Sequence, residues 1–301
     1  GGEAQGGGAW LTIVIPSVSR GETDYVSVTI NSILKQIPTA PGDPRRSSVR
    51  ILVVDNTPQE RGEHTALDQL RQQHSSNPLI EFHVQPKAGR TDEGNDPDHA
   101  NKPGARVRRQ TKDLVYTLRQ ADSSSPSHIF VMEDDFYLCP HALDALFYII
   151  DKAYKMDDDW LAMKVSYGFN GILLRSKDVE PFASYLLQHY RRRPPDHLQT
   201  EWWAGETAQS KKYKSGRSYF VFRYNLLEHI GVQSSLRAEK MVGFGVCGQE
   251  MNTELMFPVD AFDAKKCGKS DMCPCNRDDG DQENLWSFMA NPDRKSHYVH
   301  S

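Results

Sequence analysis

Four apolar runs of strand length, alternating with stretches of helical periodicity, limit what the first half of this chain can become. Residues 11–15, 50–54, 79–84 and 128–132 are short runs rich in Val, Ile, Leu and Phe. Runs of that length suit strands covered on both faces. Between them the spacing changes. Val28, Ile30, Ile33, Leu34 and Ile37 form a helical stripe that Pro38 closes, residues 64–74 read as helix, and Val107, Leu114, Val115 and Leu118 mark a helix over 105–120. Repeated strand–helix–strand units predict an α/β fold, a mixed, mostly parallel sheet flanked by helices. Ligands of such sheets bind beyond the carboxyl ends of the strands. Asp55 follows the second run and Glu133-Asp134-Asp135 follows the fourth, so both stand where a ligand is expected.

The second half reads as a helix over 142–154, a strand over 160–165, a helix over 179–190, a strand over 219–222 and an extended segment over 227–231. Residues 38–48 read as a loop. Residues 85–104 read as a long polar loop on the substrate side.

An acidic triplet by itself says little. With 40 Asp and Glu in 301 residues, chance supplies about one, and Asp157-Asp158-Asp159 reads as a plain helix-to-strand turn. Glu133-Asp134-Asp135 differs in context: carboxylates at the end of an apolar strand are costly unless something neutralises them. A divalent cation with a ligand phosphate would do so, since Mg²⁺ and Mn²⁺ prefer oxygen donors and bind through one or two carboxylates plus phosphate. His229 offers an imidazole for the same shell. The turn at Gly168 and Gly171 permits close backbone approach, and Asp196 reads either as a helix cap or as a general base.

The charge balance excludes some classes. Lys and Arg number 36 against the 40 acids, a net charge of −4, which argues against a general nucleic-acid binder. Basic clusters at 106–112 and 191–193 read as solvated surface. No run approaches the roughly 20 apolar residues of a membrane helix. The opening GGEAQGGG reads as a linker or truncated stem from which an anchor has been removed. The cysteines are Cys139, Cys247, Cys267, Cys273 and Cys275. In a secretory lumen these would form disulfides and leave one thiol, whereas Cys273-Pro274-Cys275 has tighter spacing than zinc sites use.

The order of these features resembles the GT-A glycosyltransferases, and more narrowly the N-acetylglucosaminyltransferase IV family. The stretches that carry the resemblance are 11–20 (LTIVIPSVSR), 107–116 (VRRQTKDLVY), 130–135 (FVMEDD), 167–171 (YGFNG), 189–197 (HYRRRPPDH) and 227–236 (LEHIGVQSSL). The last is also similar to the GPI-anchor GalNAc-transferase. The resemblance implies a GT-A-type Rossmann-like catalytic domain over 10–240, preceded by a linker over 1–9 and followed by a Cys-rich extension over 241–301 that packs on the core. It implies an inverting transfer of a HexNAc, with GlcNAc favoured, from a UDP-sugar to a glycan hydroxyl in the Golgi or secretory lumen. Residue by residue, Asp135 and His229 would hold Mn²⁺ or Mg²⁺ with Asp134 in support. Pro16, Ser17, Arg20 and Asp55 would line the uridine pocket, and Arg108 and Lys112 would face the diphosphate. Gly168 and Gly171 would admit the donor sugar or acceptor, and Asp196, with Glu201 in reserve, would be the base. The different-class alternative is a non-catalytic carbohydrate-binding protein whose Trp202-Trp203 pair stacks on sugar rings.

Overall fold

The computed structural model describes residues 9–40, 42–86, 94–99, 102–232, 245–251 and 271–274. The chain begins β1 (Leu11–Ser17), α1 (Val26–Leu34), α2 (Pro44–Ser48), β2 (Val49–Asp55), a 3₁₀ turn at Gln59–Arg61, α3 (Thr65–Gln73) and β3 (Ile80–Val84). It continues with α4 (Ala105–Ser123), β4 (His128–Val131), β5 (Phe136–Leu138), α5 (Ala142–Met156), β6 (Ala162–Lys164), β7 (Ile172–Arg175) and α6 (Ser176–His189). Then come α7 (Pro195–Ala204), α8 (Ala208–Lys214), β8 (Tyr219–Phe222), β9 (Leu227–His229) and β10 (Met272–Cys273).

Eight strands form one sheet in the order β10-β8-β6-β7-β4-β1-β2-β3, and β5 pairs with β9 in a second, two-stranded sheet. Strands β3, β2, β1 and β4 run parallel, as do β6 and β8, while β7 and β10 run against their neighbours. This is the expected mixed α/β Rossmann-like sheet.

Strand alternation divides the core into two layers. Leu11, Ile13 and Ile15 point to one face, where Val26, Ile30 and Ile33 of α1, Leu67 and Leu70 of α3, and the apolar stripe of α5 cover them. Val14, Leu52, Ile129 and Val131 point to the other, under Leu114 and Leu118 of α4, Phe182 of α6 and Trp203 of α7. The helices joining β1, β2 and β3 therefore lie on one face and α4 on the other. The crossover direction reverses between β1 and β4, which opens a crevice at their carboxyl ends.

Several details depart from the sequence reading. Residues 44–48 form a short helix, not loop: Asp43 caps it by accepting the Arg45 N–H at 2.9 Å, and Pro44 occupies the first turn. The antiparallel strand β7 and the strand β5 fall where the sequence reading assigned no element. Trp202 and Trp203 are 3% and 0% exposed, packed against Tyr185, Tyr213, Phe182 and Tyr219. This corrects the sugar-stacking reading, because neither ring presents a face to solvent.

Cys139 and Cys247 form a disulfide with Cα atoms 5.5 Å apart, joining the end of β5 to residues 245–251. Cys267 and Cys275 lie outside the described residues. Segments beyond residue 240 also meet the core through β10, which extends the sheet at β8, and through the Asn225 N–H, which donates to the Gln249 carbonyl at 2.8 Å. No helix among the described residues is long and apolar enough to cross a membrane.

Candidate active site

The parallel register brings the ends of three strands to one edge. Ser17 closes β1 opposite Asp55, and Val131 of β4 lies opposite Val14, so residues 132–135 continue alongside the end of β1. The acidic turn is held from behind by α1: the Thr29 hydroxyl lies 2.7 Å from the carbonyls of Asp134 and Phe136, and Ser32 Oγ accepts the Leu138 N–H at 2.9 Å. The cavity in front of this turn is lined by Glu133, Asp134, Asp135, Pro16, Val18, Arg20 and His229, and by Tyr167 and Gly168 on one side. Asn56, Pro58, Arg61, Arg106, Arg109, Gln110, Asp113 and Leu114 also line it.

The acids are answered chiefly by one guanidinium. Arg20 donates to Asp134 Oδ1 at 2.6 Å and to Asp135 Oδ2 at 3.1 Å, with its side chain only 8% exposed. Burial lowers the Arg20 pKa, but Asp134 and Asp135 outweigh it and raise the value above the ordinary one. Asp134 Oδ2 also accepts from Ser17 Oγ at 2.5 Å and from the Val18 N–H at 3.2 Å. Behind Ser17 stands His64, with Nε2 2.8 Å from Ser17 Oγ and Nδ1 accepting the Leu67 N–H at 3.4 Å. The second contact leaves the proton on Nε2, so the chain runs from His64 through the Ser17 hydroxyl to Asp134. Ser17 is thus 1% exposed and anchors the acidic turn without lining the cavity itself. Sequence reasoning missed His64, and nothing local to it signals the role.

His229 reaches the site because β9 pairs with β5, placing His229 opposite Phe136; the Ile230 N–H donates to the Asp135 carbonyl at 2.9 Å. The imidazole Nε2 is then 3.5 Å from Asp135 Oδ2. Burial pushes the Asp135 carboxyl up, but the His229 hydrogen bond and Arg20 outweigh it and hold the group below its usual range. Burial and the repulsion of Asp135 and Asp134 push Glu133 up to about 8.

Among the described residues, no group of three or more His, Cys, Asp or Glu side chains could hold a metal ion. Asp135 and His229 nevertheless suit a cation that takes its other ligands from phosphate and water. Two neighbouring donors each about 2.1 Å from an ion are about 3 Å apart, close to the spacing of this pair. Gly231 keeps the space at both donors clear: a Cβ there would stand 2.6 Å from Asp135 Oδ2 and 3.0 Å from His229 Nε2. Gly231→Ala is therefore expected to move Asp135 or His229 and to lower turnover at least about tenfold. Because the strain falls on two side chains, not on the core, the thermal midpoint should change by only a few degrees. Full turnover in that variant would show that the spacing is unimportant.

The wall at Tyr167 and Gly168 belongs to the turn between β6 and β7. Gly171 has a positive φ of 64°, and a Cβ there would meet Ser166 at 2.6 Å, so this glycine closes the turn and does not line the cavity. The Asn170 side chain accepts the Glu133 N–H at 3.0 Å, and the buried Lys164 donates to the carbonyls of Gly168 and Asn170, the latter at 2.8 Å. Burial drives the Lys164 ammonium down to about 7, against the opposing charges of Asp196 and Glu133. From about 7 up to the ordinary 10.5, the unfolded chain binds more protons at this residue than the native chain. Native stability therefore rises with pH through that window. Against a Lys164→Met variant, the wild-type thermal midpoint should gain as pH climbs from 7 towards 10 and stay level below 7. Parallel pH curves for the two proteins would refute a depressed ammonium.

The remaining candidates fall at varied distances from the cavity. Asp196 is half-buried in the first turn of α7, within electrostatic reach of Lys164, and does not itself line the cavity. Glu201 is 2% exposed and bound by Arg192, Arg193 and Tyr185, which together outweigh burial and lower its pKa. Asp55 Oδ1 accepts the Thr57 N–H at 2.8 Å and shapes the loop after β2, while its neighbour Asn56 faces the cavity. Helical phase separates the basic cluster on α4. Residues 106, 109, 110, 113 and 114 share the face that lines the cavity. Arg108 and Lys112 project from the other side: Arg108 grips Asp96 at 2.6 and 2.7 Å, and the Lys112 ammonium lies 5.0 Å from the Tyr190 ring centroid. Sequence reading therefore missed Arg61 and took Arg106 and Arg109 for solvated surface, although all three border the cavity with Arg20.

No family model matches the chain. The mouse alpha-1,3-mannosyl-glycoprotein 4-beta-N-acetylglucosaminyltransferase B is 25% identical over 248 residues, covering 76% of this chain and 43% of that protein. The human protein of the same name is 24% identical over the same shares. The chain thus spans less than half the length of these curated relatives. Solved structures align more remotely, S. aureus TarS at a TM-score of 0.35 and 13% identity over 61% of this chain and 34% of that one. By sequence, this chain is a relative of the alpha-1,3-mannosyl-glycoprotein 4-beta-N-acetylglucosaminyltransferases, built on a mixed α/β Rossmann-like sheet.

Proposed function

We propose that this chain is an inverting glycosyltransferase that moves GlcNAc from UDP-GlcNAc to a glycan hydroxyl, aided by Mn²⁺ or Mg²⁺, in the Golgi or another part of the secretory lumen. The observation that carries the reading is the meeting of Asp135 and His229 at 3.5 Å in a cavity at the sheet's switch point. The relatives' name supplies the sugar and its β linkage. UDP-GlcNAc is an α-glycosyl phosphate, so a β product requires inversion. The Cys139–Cys247 disulfide suits an oxidising compartment.

Asp135 and His229 would hold the cation, which when bound would stabilise charge on the diphosphate. Arg20 bridges Asp134 and Asp135 and orients them, while Pro16, Val18, Asn56 and Leu114 offer the mixed polar and apolar wall a nucleoside needs. Gly168 lines the same cavity as Glu133, where the sugar would sit. Inversion needs a carboxylate to accept the acceptor's proton on the side opposite the leaving group. Asp196 is the proposed base: with Glu133 it opposes the effect of burial on Lys164, the residue that braces the Gly168 wall. Glu201, committed to its arginines, is proposed as an anchor.

Asp196→Asn should cut turnover about a hundred- to ten-thousandfold with little change in UDP affinity. Glu201→Gln should act mainly on the thermal midpoint. The reverse pattern would exchange their roles. Incubation with a panel of UDP-sugars and Mn²⁺, read as UDP released above hydrolysis, tests the donor. The proposal expects UDP-GlcNAc to be used best; a preference for UDP-GalNAc would move the chain towards the GPI-anchor enzyme, and release from neither would defeat the transferase reading.

A further inference from the structure

The cavity is also bordered by Arg61, from the 3₁₀ turn after β2, and by Arg106 and Arg109 on the first turns of α4. Local preference does not put them there. The first turn of α4 holds no acid, and positive side chains near a helix N-terminus oppose the macrodipole, which favours acids in that turn. Core packing does not require them either, since Arg106 is exposed and Arg61 and Arg109 are half-buried. Burial, followed by the charges of Arg109, Arg106 and Arg20, lowers the Arg61 pKa, so these guanidiniums stand close enough to repel one another. Within the chain, Arg61 donates to the Ser19 carbonyl at 3.1 Å, and Arg109 pairs with the exposed Glu60.

Three guanidiniums gathered from two elements into one cavity, with Asp113 beside them on α4, are stabilised by an anion, and the planar guanidinium fork matches phosphate oxygens. We infer that Arg61, Arg106 and Arg109 form an oxyanion rim that binds a phosphate-bearing ligand of this cavity without a cation. What the ligand is rests on the proposed function: the phosphate is the donor's diphosphate or one carried by the acceptor. The rim divides the site into two halves. The acids with His229 serve a metal-linked end, and the arginines serve phosphate directly.

The test is isothermal titration of the full chain in EDTA with inorganic pyrophosphate, UDP and uridine. Wild type should bind pyrophosphate. The double variant Arg106→Gln/Arg109→Gln, and Arg61→Gln separately, should each weaken it by about tenfold or more. Uridine affinity should hold in all of them. Arg119→Gln, on the same helix but paired with Glu180, should bind pyrophosphate as wild type does. If UDP displaces pyrophosphate, the rim takes the donor's phosphates; if pyrophosphate binds alongside saturating UDP, the rim takes an acceptor phosphate. Arginine-dependent pyrophosphate binding in a chain indifferent to UDP keeps the rim and removes the UDP-sugar reading. The inference is overturned if wild type ignores pyrophosphate in EDTA, if the variants bind it equally well, or if they lose uridine in parallel. Should the double variant not fold, Arg61→Gln carries the same test.

Discussion

Asp135→Ala is expected to lower UDP-sugar turnover about a hundred- to a thousandfold while the chain keeps its fold and its thermal midpoint. Both halves of that expectation come from the same contacts. The substitution removes the carboxylate oxygen that faces His229 Nε2 at 3.5 Å, the one place in the cavity where an acid and an imidazole meet among the described residues. It does not orphan Arg20, which keeps its 2.6 Å contact with Asp134. It also relieves Glu133 of its strongest like-charge neighbour. A fall in activity with an unchanged melting curve is therefore the signature expected of a functional acid. Retained turnover would remove Asp135 from the chemistry.

Arg20→Ala should behave in the opposite way. Its guanidinium is the shared partner of two carboxylates whose side chains are 4% and 12% exposed. Removing one member of a buried charge cluster commonly costs about 3–5 kcal/mol, because the remaining charges stay desolvated and unpaired. In a chain of this size that lowers the thermal midpoint by on the order of 10 °C. Arg20→Lys should recover only part of the loss, since an ammonium cannot bridge both carboxylates as a guanidinium fork does. Differential scanning fluorimetry decides it. A melting curve like wild type's for Arg20→Ala would mean that the acids are already neutralised by other groups.

The contrast between these two neighbours also shows what could be read from the chain alone. The apolar runs became β1 to β4 because a buried parallel strand has one sequence signature, and its end is marked by the first polar residues. β7 escaped because Ile172–Arg175 follows a glycine turn and is only four residues long, too short for period to distinguish it from a loop. The helix at 44–48 was legible in principle, since Asp43 before Pro44 is a cap followed by a preferred first-turn residue. On α4, the residues 106, 108, 109 and 112 are all basic, and only the helix's orientation on the sheet tells which face the cavity. That orientation is a tertiary fact. The same holds for Ser17, His64 and Asp134: three polar residues far apart in sequence, joined because β1, α3 and β4 converge at one edge. Trp202 and Trp203 teach the converse, since exposed stacking and core packing draw on the same residue type.

The most direct test of the account is Mn²⁺ binding in the presence of UDP, followed by electron paramagnetic resonance of the bound ion. Wild type should bind one Mn²⁺ per chain, and Asp135→Ala and His229→Ala should each abolish that signal while UDP can still be titrated onto the protein. An unchanged Mn²⁺ signal in either variant would contradict the claim that this carboxylate and this imidazole, brought together from distant parts of the chain, share one cation.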